Sequence, residues 1–283
     1  GVTFAGGLAT RGVKPVVAIY STFLQRGYDN IVHDVALQDL PVVFCMDRAG
    51  IAGEDGPTHH GTLDINYMLA VPGMVVTAPR DGAEMLALLR HALETHDRPF
   101  SIRYPRDAVP AEVPALEEIP PVERGRWEVM RKGTGELAIL AVGTMVLPAV
   151  EAAEALAGEG IDATVVDCKF LKPWDRELLG RVLVDHRSLL TVEEGSVANG
   201  FGAFILREIA DDPGLPAPAR AGTHGIPDHF VEHGPRATLL GELGLDAEGI
   251  AERARRLLRG PHGGTAGEGG ERLARVGGED GAG

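Results

Sequence analysis

The chain has 283 residues, 44% hydrophobic and 24% charged, which suffices for two domains with separate cores and excludes a fibrous or low-complexity protein. Its net charge is −14 with no basic block, so nucleic acid and anionic membrane are excluded as main partners, and a phosphate would have to be held by a few local arginines. No apolar run approaches the about 20 residues of a membrane span.

The chain opens Gly1-Val2-Thr3-Phe4-Ala5-Gly6-Gly7 with neither a Met nor a signal peptide, as though inside a helix, and is expected to be a fragment lacking its amino-terminal part. Val16–Tyr20 reads as a strand and Gln25–Asp39 as a helix burying Ile31, Val32, Val35 and Ala36. Val42–Met46 and Met74–Ala78 are strands, Gly82–Thr95 a helix, and Phe100–Tyr104 a fourth strand. Residues 108–126, with Pro110, Pro114, Pro120 and Pro121 among glutamates, read as a linker. The alternation then resumes with strands Leu137–Val142, Ala163–Asp167 and Ser188–Glu193. Helices are expected at Leu147–Ala157, Arg176–Val184, Gly202–Ala210, Ala237–Leu243 and Ala247–Leu258. The Gly-dominated stretch 261–283 reads as a disordered tail. Strands alternating with helices predict an α/β protein with two domains, 1–107 and 127–260, each a mostly parallel sheet flanked by helices. Cys45 and Cys168 lie in apolar strand-like runs and read as buried free thiols, so the cytoplasm is the expected compartment.

The chemistry is concentrated between Asp47 and Gly61. Here an Arg, two imidazoles, further carboxylates and four glycines follow a buried strand, at the sheet edge where open α/β folds bind ligands. Asp55, His59 and His60 fit no standard zinc spacing. A plain surface turn explains the glycines and Pro57 but not the Thr58-His59-His60 cluster, and proton transfer or hydroxyl recognition accounts for both. Tyr20, Phe23 and Arg26 recur at threefold spacing where a strand gives way to a helix, which suits either a core contact or an aromatic wall beside a cation. Arg106, just past a strand end in Ser101-Ile102-Arg103-Tyr104-Pro105-Arg106, could hold a phosphate bidentately or simply be solvated. Glu194-Gly195-Ser196-Val197-Ala198-Asn199-Gly200-Phe201-Gly202 lacks the dinucleotide-binding glycine spacing and reads as a tight strand-to-helix connection.

Taken together, Gly53-Glu54-Asp55-Gly56-Pro57-Thr58-His59, the run Tyr20 to Asp29, Val32-His33-Asp34-Val35 and Asp47-Arg48-Ala49-Gly50 resemble the transketolase superfamily of thiamine-diphosphate enzymes. Within it, the combination looks like the 1-deoxy-D-xylulose-5-phosphate synthase family. The likeness also takes in Asp167-Cys168-Lys169-Phe170-Leu171-Lys172-Pro173 and Thr191-Val192-Glu193-Glu194-Gly195.

The resemblance implies a thiamine-diphosphate-dependent condensation of pyruvate with glyceraldehyde 3-phosphate, with a homodimer expected and the fragment inactive alone. The alternatives are a transketolase-type half-protein working with a separate diphosphate-binding subunit and a non-catalytic assembly domain. It implies that residues 1–107 are most of a pyrimidine-binding domain and 127–260 the carboxyl-terminal domain. A missing amino-terminal domain would carry the Mg²⁺ ligands, and the family's catalytic Glu would lie upstream of Gly1. It further implies Phe23 stacked on the cofactor's pyrimidine with Arg26 nearby. Tyr20, Arg48 and Arg106 would lie on the substrate phosphate, Asp55 and His59 on the aldehyde and hydroxyl groups, with His59 as the proton carrier. His60 receives no role.

Overall fold

The computed structural model describes residues 1–109 and 112–259, and the expected tail lies outside them. In chain order the first half contains α1 (Val2–Ala9), β1 (Val16–Tyr20), α2 (Ser21–Leu24), α3 (Tyr28–Asn30) and β2 (Val43–Asp47). It continues with α4 (Asp64–Ala70), β3 (Val75–Thr77), α5 (Gly82–Thr95) and β4 (Phe100–Arg103). The second half begins with β5 (Glu128–Arg131), β6 (Leu137–Ala141), α6 (Val146–Ala157), β7 (Thr164–Asp167), β8 (Phe170–Lys172) and α7 (Arg176–Asp185). It ends with β9 (Ser188–Ser196), α8 (Phe201–Asp211), β10 (Arg220–Ile226), α9 (Arg236–Glu242) and α10 (Ala247–Arg259).

Two sheets result, ordered β1-β2-β4-β3-β8 and β10-β9-β6-β7-β5. Each is parallel except for one antiparallel edge strand, β8 against β3 and β5 against β7, so the mostly parallel α/β expectation holds. Strands covered on both faces need apolar residues throughout. In β2, Val43, Phe44, Cys45 and Met46 are all buried, and β6 is buried along its whole length. Each fully buried large apolar side chain contributes about 1.5–3 kcal/mol. One core cluster runs through both halves, joining Phe44, Met46 and Met68 to Leu140, Val166, Leu171 and Phe201. Cys45 and Cys168 are free and buried, as the sequence reading expects.

The helix expected over 25–39 instead starts at Ser21 and changes pitch repeatedly. A 3₁₀ turn at Gln25–Gly27, a π-helical turn at Ile31–Val35 and a 3₁₀ turn at Ala36–Gln38 interrupt it. Gly27 and the β-branched Ile31 and Val32 are weak helix formers, and packing sets the path instead. Ile31 and Val35 are both fully buried, and the run stops where Asp39 turns left-handed at φ 50°. Strands β5, β8 and β10 carry little sequence signal. The first two are short edge strands, and β10 contains two glycines, so neighbouring strands decide their pairing. The proline-rich segment is docked rather than free: Ile119 is buried, and Arg90 donates to the carbonyls of Leu116 and Ile119 at 3.0 and 2.8 Å.

Candidate active site

Strands β1 and β2 run in register, so Tyr20 pairs with Asp47 at their carboxyl ends. Because the chain turns directly into α2, Phe23 projects beside Tyr20, with ring centroids 5.2 Å apart. The His59 ring meets Phe23 edge-on at 5.3 Å, and the Arg48 guanidinium lies over the Tyr20 ring at 4.3 Å. Asp55 pairs with Arg48 and also faces Arg106 at 3.5 Å. Six of the seven expected site residues therefore converge: Tyr20, Phe23, Arg48, Asp55, His59 and Arg106. Arg26 stands exposed on the following turn, with no ion-pair partner among the described residues.

Arg48 occupies the left-handed region at φ 54°, which a non-glycine residue adopts only where its surroundings hold it. Here the Arg48 N–H donates to Asp47 Oδ1 at 2.6 Å and the side chain pairs with Asp55. His59 Nδ1 is 2.9 Å from the Thr58 hydroxyl, while Nε2 has no hydrogen-bond partner among the described residues. The ring carrying that nitrogen packs edge-on against an exposed aromatic, Phe23 being 38% accessible, and the loop that holds it also carries Arg48 and Asp55.

The loop carrying these groups is pinned on both sides. Gly50 and Gly61 exchange N–H···O bonds at 2.7 and 2.8 Å, and a Cβ on Gly61 would come within 2.5 Å of the Arg48 carbonyl and the Ser21 hydroxyl. His60 is buried. Its Nδ1 accepts the Ala52 N–H at 2.9 Å, which puts the proton on Nε2, and Nε2 donates to the Glu232 carbonyl at 3.2 Å. Its adjacency to His59 thus reflects a structural clip. Glu194, at the end of β9, accepts the Ile51 N–H at 2.6 Å and pairs with both terminal nitrogens of Arg236. Beneath lies a buried ion pair, with Arg103 Nε 3.1 and 3.0 Å from the two oxygens of Asp64. Arg103 also donates to the Glu194 carbonyl at 2.9 Å.

Motif reading missed Glu194, Arg236, Asp64 and Arg103. An arginine inside an apolar strand demands a buried carboxylate partner, and adjacent glutamates ending another strand were the available signal. Glu193 turns the other way and accepts the Phe201 and Gly202 N–H groups, each at 2.8 Å, at the start of α8. Burial pushes its carboxyl up to about 7, against the pull of those two N–H groups. The Glu194–Gly202 stretch is indeed a strand-to-helix connection.

A second polar cluster joins the halves. Arg80 Nη1 lies 3.1 Å from Glu84, 2.8 Å from Glu128 and 2.6 Å from Asp167, and Lys169 Nζ reaches the same three at 2.6, 2.8 and 3.4 Å. The three carboxylates sit within 4.8 Å of one another, but Arg80 and Lys169 already occupy the space a metal ion would take. Burial and the neighbouring Glu84 raise the Asp167 carboxyl. Between this cluster and Arg106 the halves enclose a cavity of about 600 Å³, whose wall includes Tyr104, Met145, Thr144 and Arg236. Among the described residues no helix is long and apolar enough to cross a membrane.

Residues 1–112 match the family described as "Transketolase, pyrimidine binding domain" and residues 125–250 match "Transketolase, C-terminal domain". The 1-deoxy-D-xylulose-5-phosphate synthase 2 of Geobacter sulfurreducens is 48% identical over 257 residues, covering 91% of this chain and 40% of that one. The 1-deoxy-D-xylulose-5-phosphate synthase of Cupriavidus taiwanensis is 50% identical, covering 90% and 39%. The chain thus spans about two fifths of the length of these curated relatives. Among solved structures, one titled "Split gene transketolase, inactive beta4 tetramer" superposes with a TM-score of 0.79 at 32% identity, covering 90% of this chain and 80% of that one. A Pichia stipitis transketolase shares the fold at a TM-score of 0.69 and 22% identity. On sequence, on domain content and on fold, this chain belongs to the transketolase family, the family of transketolase-like, thiamine-diphosphate-dependent transferases.

Proposed function

We propose that this chain supplies the pyrimidine-binding and acceptor-binding side of a synthase that condenses pyruvate with glyceraldehyde 3-phosphate, giving 1-deoxy-D-xylulose 5-phosphate and CO₂. The observation that carries the reading is the convergence of Arg48 and Arg106 on one oxygen of Asp55, in the loop that also carries His59, whose ring meets Phe23 edge-on. Two guanidinium groups suit a phosphate dianion, and with substrate bound they exchange the Asp55 carboxylate for it. Asp55 is then free to accept a hydroxyl of the acceptor, and Tyr20, under Arg48, keeps that guanidinium in place. His59 Nε2 exchanges a proton with the acceptor's aldehyde oxygen as it becomes a hydroxyl, at a distance the pinned loop fixes.

The exposed Phe23 ring at a sheet's carboxyl edge fits an aminopyrimidine stacked upon it, with Arg26 nearby. Thiamine diphosphate, when bound, supplies the carbanion-stabilising ring at which a 2-oxo acid loses CO₂. We assign its diphosphate and Mg²⁺ to a further domain, such as the curated relatives' additional length can hold. We assign the working unit to a homodimer in the cytoplasm.

A second reading keeps the same site but makes this chain a subunit working with a separate diphosphate-binding chain in ketol transfer. The coverage of 80% of a split-gene transketolase chain favours it. One experiment separates the two. The chain alone should show no micromolar affinity for thiamine diphosphate and Mg²⁺ by calorimetry. Joined to a diphosphate-binding domain from a curated relative, it should condense pyruvate with glyceraldehyde 3-phosphate and release CO₂. Ketol transfer from a sugar phosphate without CO₂ release would favour the subunit reading, and tight cofactor binding by the chain alone would refute the division of the site.

A further inference from the structure

One guanidinium in the second half touches both segments to which the phosphate-holding arginines belong. Arg236, the first residue of α9, pairs with both oxygens of Glu194, with Nη2 2.8 Å from Oε2. Its Nη1 also donates to the Ile51 carbonyl at 2.9 Å, and its Nε donates to Asp107 Oδ2 at 2.8 Å. Ile51 is three residues from Arg48, and Asp107 is the neighbour of Arg106. Glu194 completes the frame by accepting the Ile51 N–H at 2.6 Å and the Thr144 hydroxyl at 3.1 Å. The frame leaves no spare room at Gly50, where the backbone sits at φ +76° and a Cβ would lie 2.3 Å from Glu194 Oε1.

From this geometry we infer that Arg236 and Glu194 are positioning residues that set the spacing between Arg48 and Arg106, so that the carboxyl-terminal half confers the preference for a phosphorylated acceptor. The inference rests on the acceptor reading proposed above. The chemistry follows from donor geometry. Arg236 needs its planar fork of donors to grip a carboxylate bidentately while reaching a carbonyl and a second carboxylate. Its side chain is only 12% exposed, so these contacts are little screened. The two segments are separate loops after β2 and β4, joined to each other by the Ala49 N–H on the Tyr104 carbonyl at 3.0 Å and by Asp55. Arg236 ties both to the second half, and without it both are held less firmly. A phosphate gripped by two guanidinium groups senses their separation, whereas the aldehyde end meets His59, which the Gly50–Gly61 pair and the Phe23 ring hold without Arg236.

The test has two arms. In this chain, Arg236→Met should raise amide hydrogen exchange at 50–53 and at 104–109 together, by about tenfold each, while 59–61, β6 and β9 stay protected. Arg236→Lys, a single point donor, should restore one segment at most. Glu194→Gln, which keeps an acceptor for the Ile51 N–H, should loosen the same two segments less and serves if Arg236→Met does not fold. In the assembled enzyme, Arg236→Met should raise the KM for glyceraldehyde 3-phosphate by about tenfold, leaving the KM values for glyceraldehyde and pyruvate within about twofold. A merely structural role would lower kcat for both acceptors alike. Unchanged exchange, loosening of one segment only, or equal loss with both acceptors would overturn the inference. A wild-type enzyme indifferent to the acceptor's phosphate would overturn the functional reading, and the exchange arm would still decide whether the pair holds both loops.

Discussion

The carboxyl edges of the two sheets have the same architecture and opposite uses. At the first, the residues after β1, β2 and β4 turn outward: Phe23, Asp55 and Arg106 are exposed, and His59 is half-buried. At the second, the strand-end residues turn inward: Glu193 and Glu194 are buried, one on the start of α8 and the other on the loop of the neighbouring half. An outward edge offers groups to a ligand, and an inward edge spends the same kinds of groups holding the backbone in place. On the function proposed above, two sheets of one design divide the labour, one presenting chemistry and the other making it rigid.

The largest effect should come from the outward edge. His59→Ala should lower turnover of the assembled enzyme by about 10²- to 10⁴-fold with the fold intact by circular dichroism, and His59→Asn should recover little because an amide carries no proton at neutral pH. Turnover within threefold of wild type would return this loop to a plain turn. A smaller effect is expected for Arg48→Ala and Arg106→Ala. Each should remove a charge-assisted contact of about 1.5–3 kcal/mol, seen as a higher KM for glyceraldehyde 3-phosphate but not for pyruvate. Equal loss with unphosphorylated glyceraldehyde would show that neither residue holds phosphate.

The smallest effect, taken per pH unit, concerns the inward edge. Glu193 is raised from an ordinary 4.5 to about 7 when folded, so between those values the folded chain binds more protons than the unfolded one. Stability then falls as pH rises through this window, with a slope of about 1 kcal/mol per pH unit, and the contribution is fully present only below 4.5. Urea midpoints measured from pH 5 to 8 should decline in wild type and lose that slope in Glu193→Gln. A parallel decline in both would place the titration elsewhere.

The outward edge was the legible one. Four glycines, two histidines and an arginine after an apolar strand mark the loop that the proposed reading gives to the ligand, and the structure gathers Arg48, Asp55 and His59 there beside Tyr20 and Phe23. The inward edge was nearly silent. Glu194 and Arg236 are 42 residues apart, and Arg236 meets Ile51 across 185, so no local periodicity connects them. For Arg26 the spacing says less: threefold spacing defines a shared face along a regular helix, and here the helix changes pitch between Phe23 and Arg26. Strand order was legible in kind but not in its edges, since β5 and β8 are short and depend on partners distant in sequence.

The edge strand β8 belongs by sequence to the second half and by hydrogen bonding to the first, where Thr77 pairs with Phe170 and Val76 with Lys172. Phe170 is fully buried in one cluster with Phe100 and Val75 of the first sheet and Leu88 of α5. A chain severed after Arg126 would leave β3 as an open edge, with unsatisfied N–H and C=O groups and a hollow where that ring had been. The two halves therefore form a single melting unit, and dividing the gene at the proline-rich segment would yield neither half in working order.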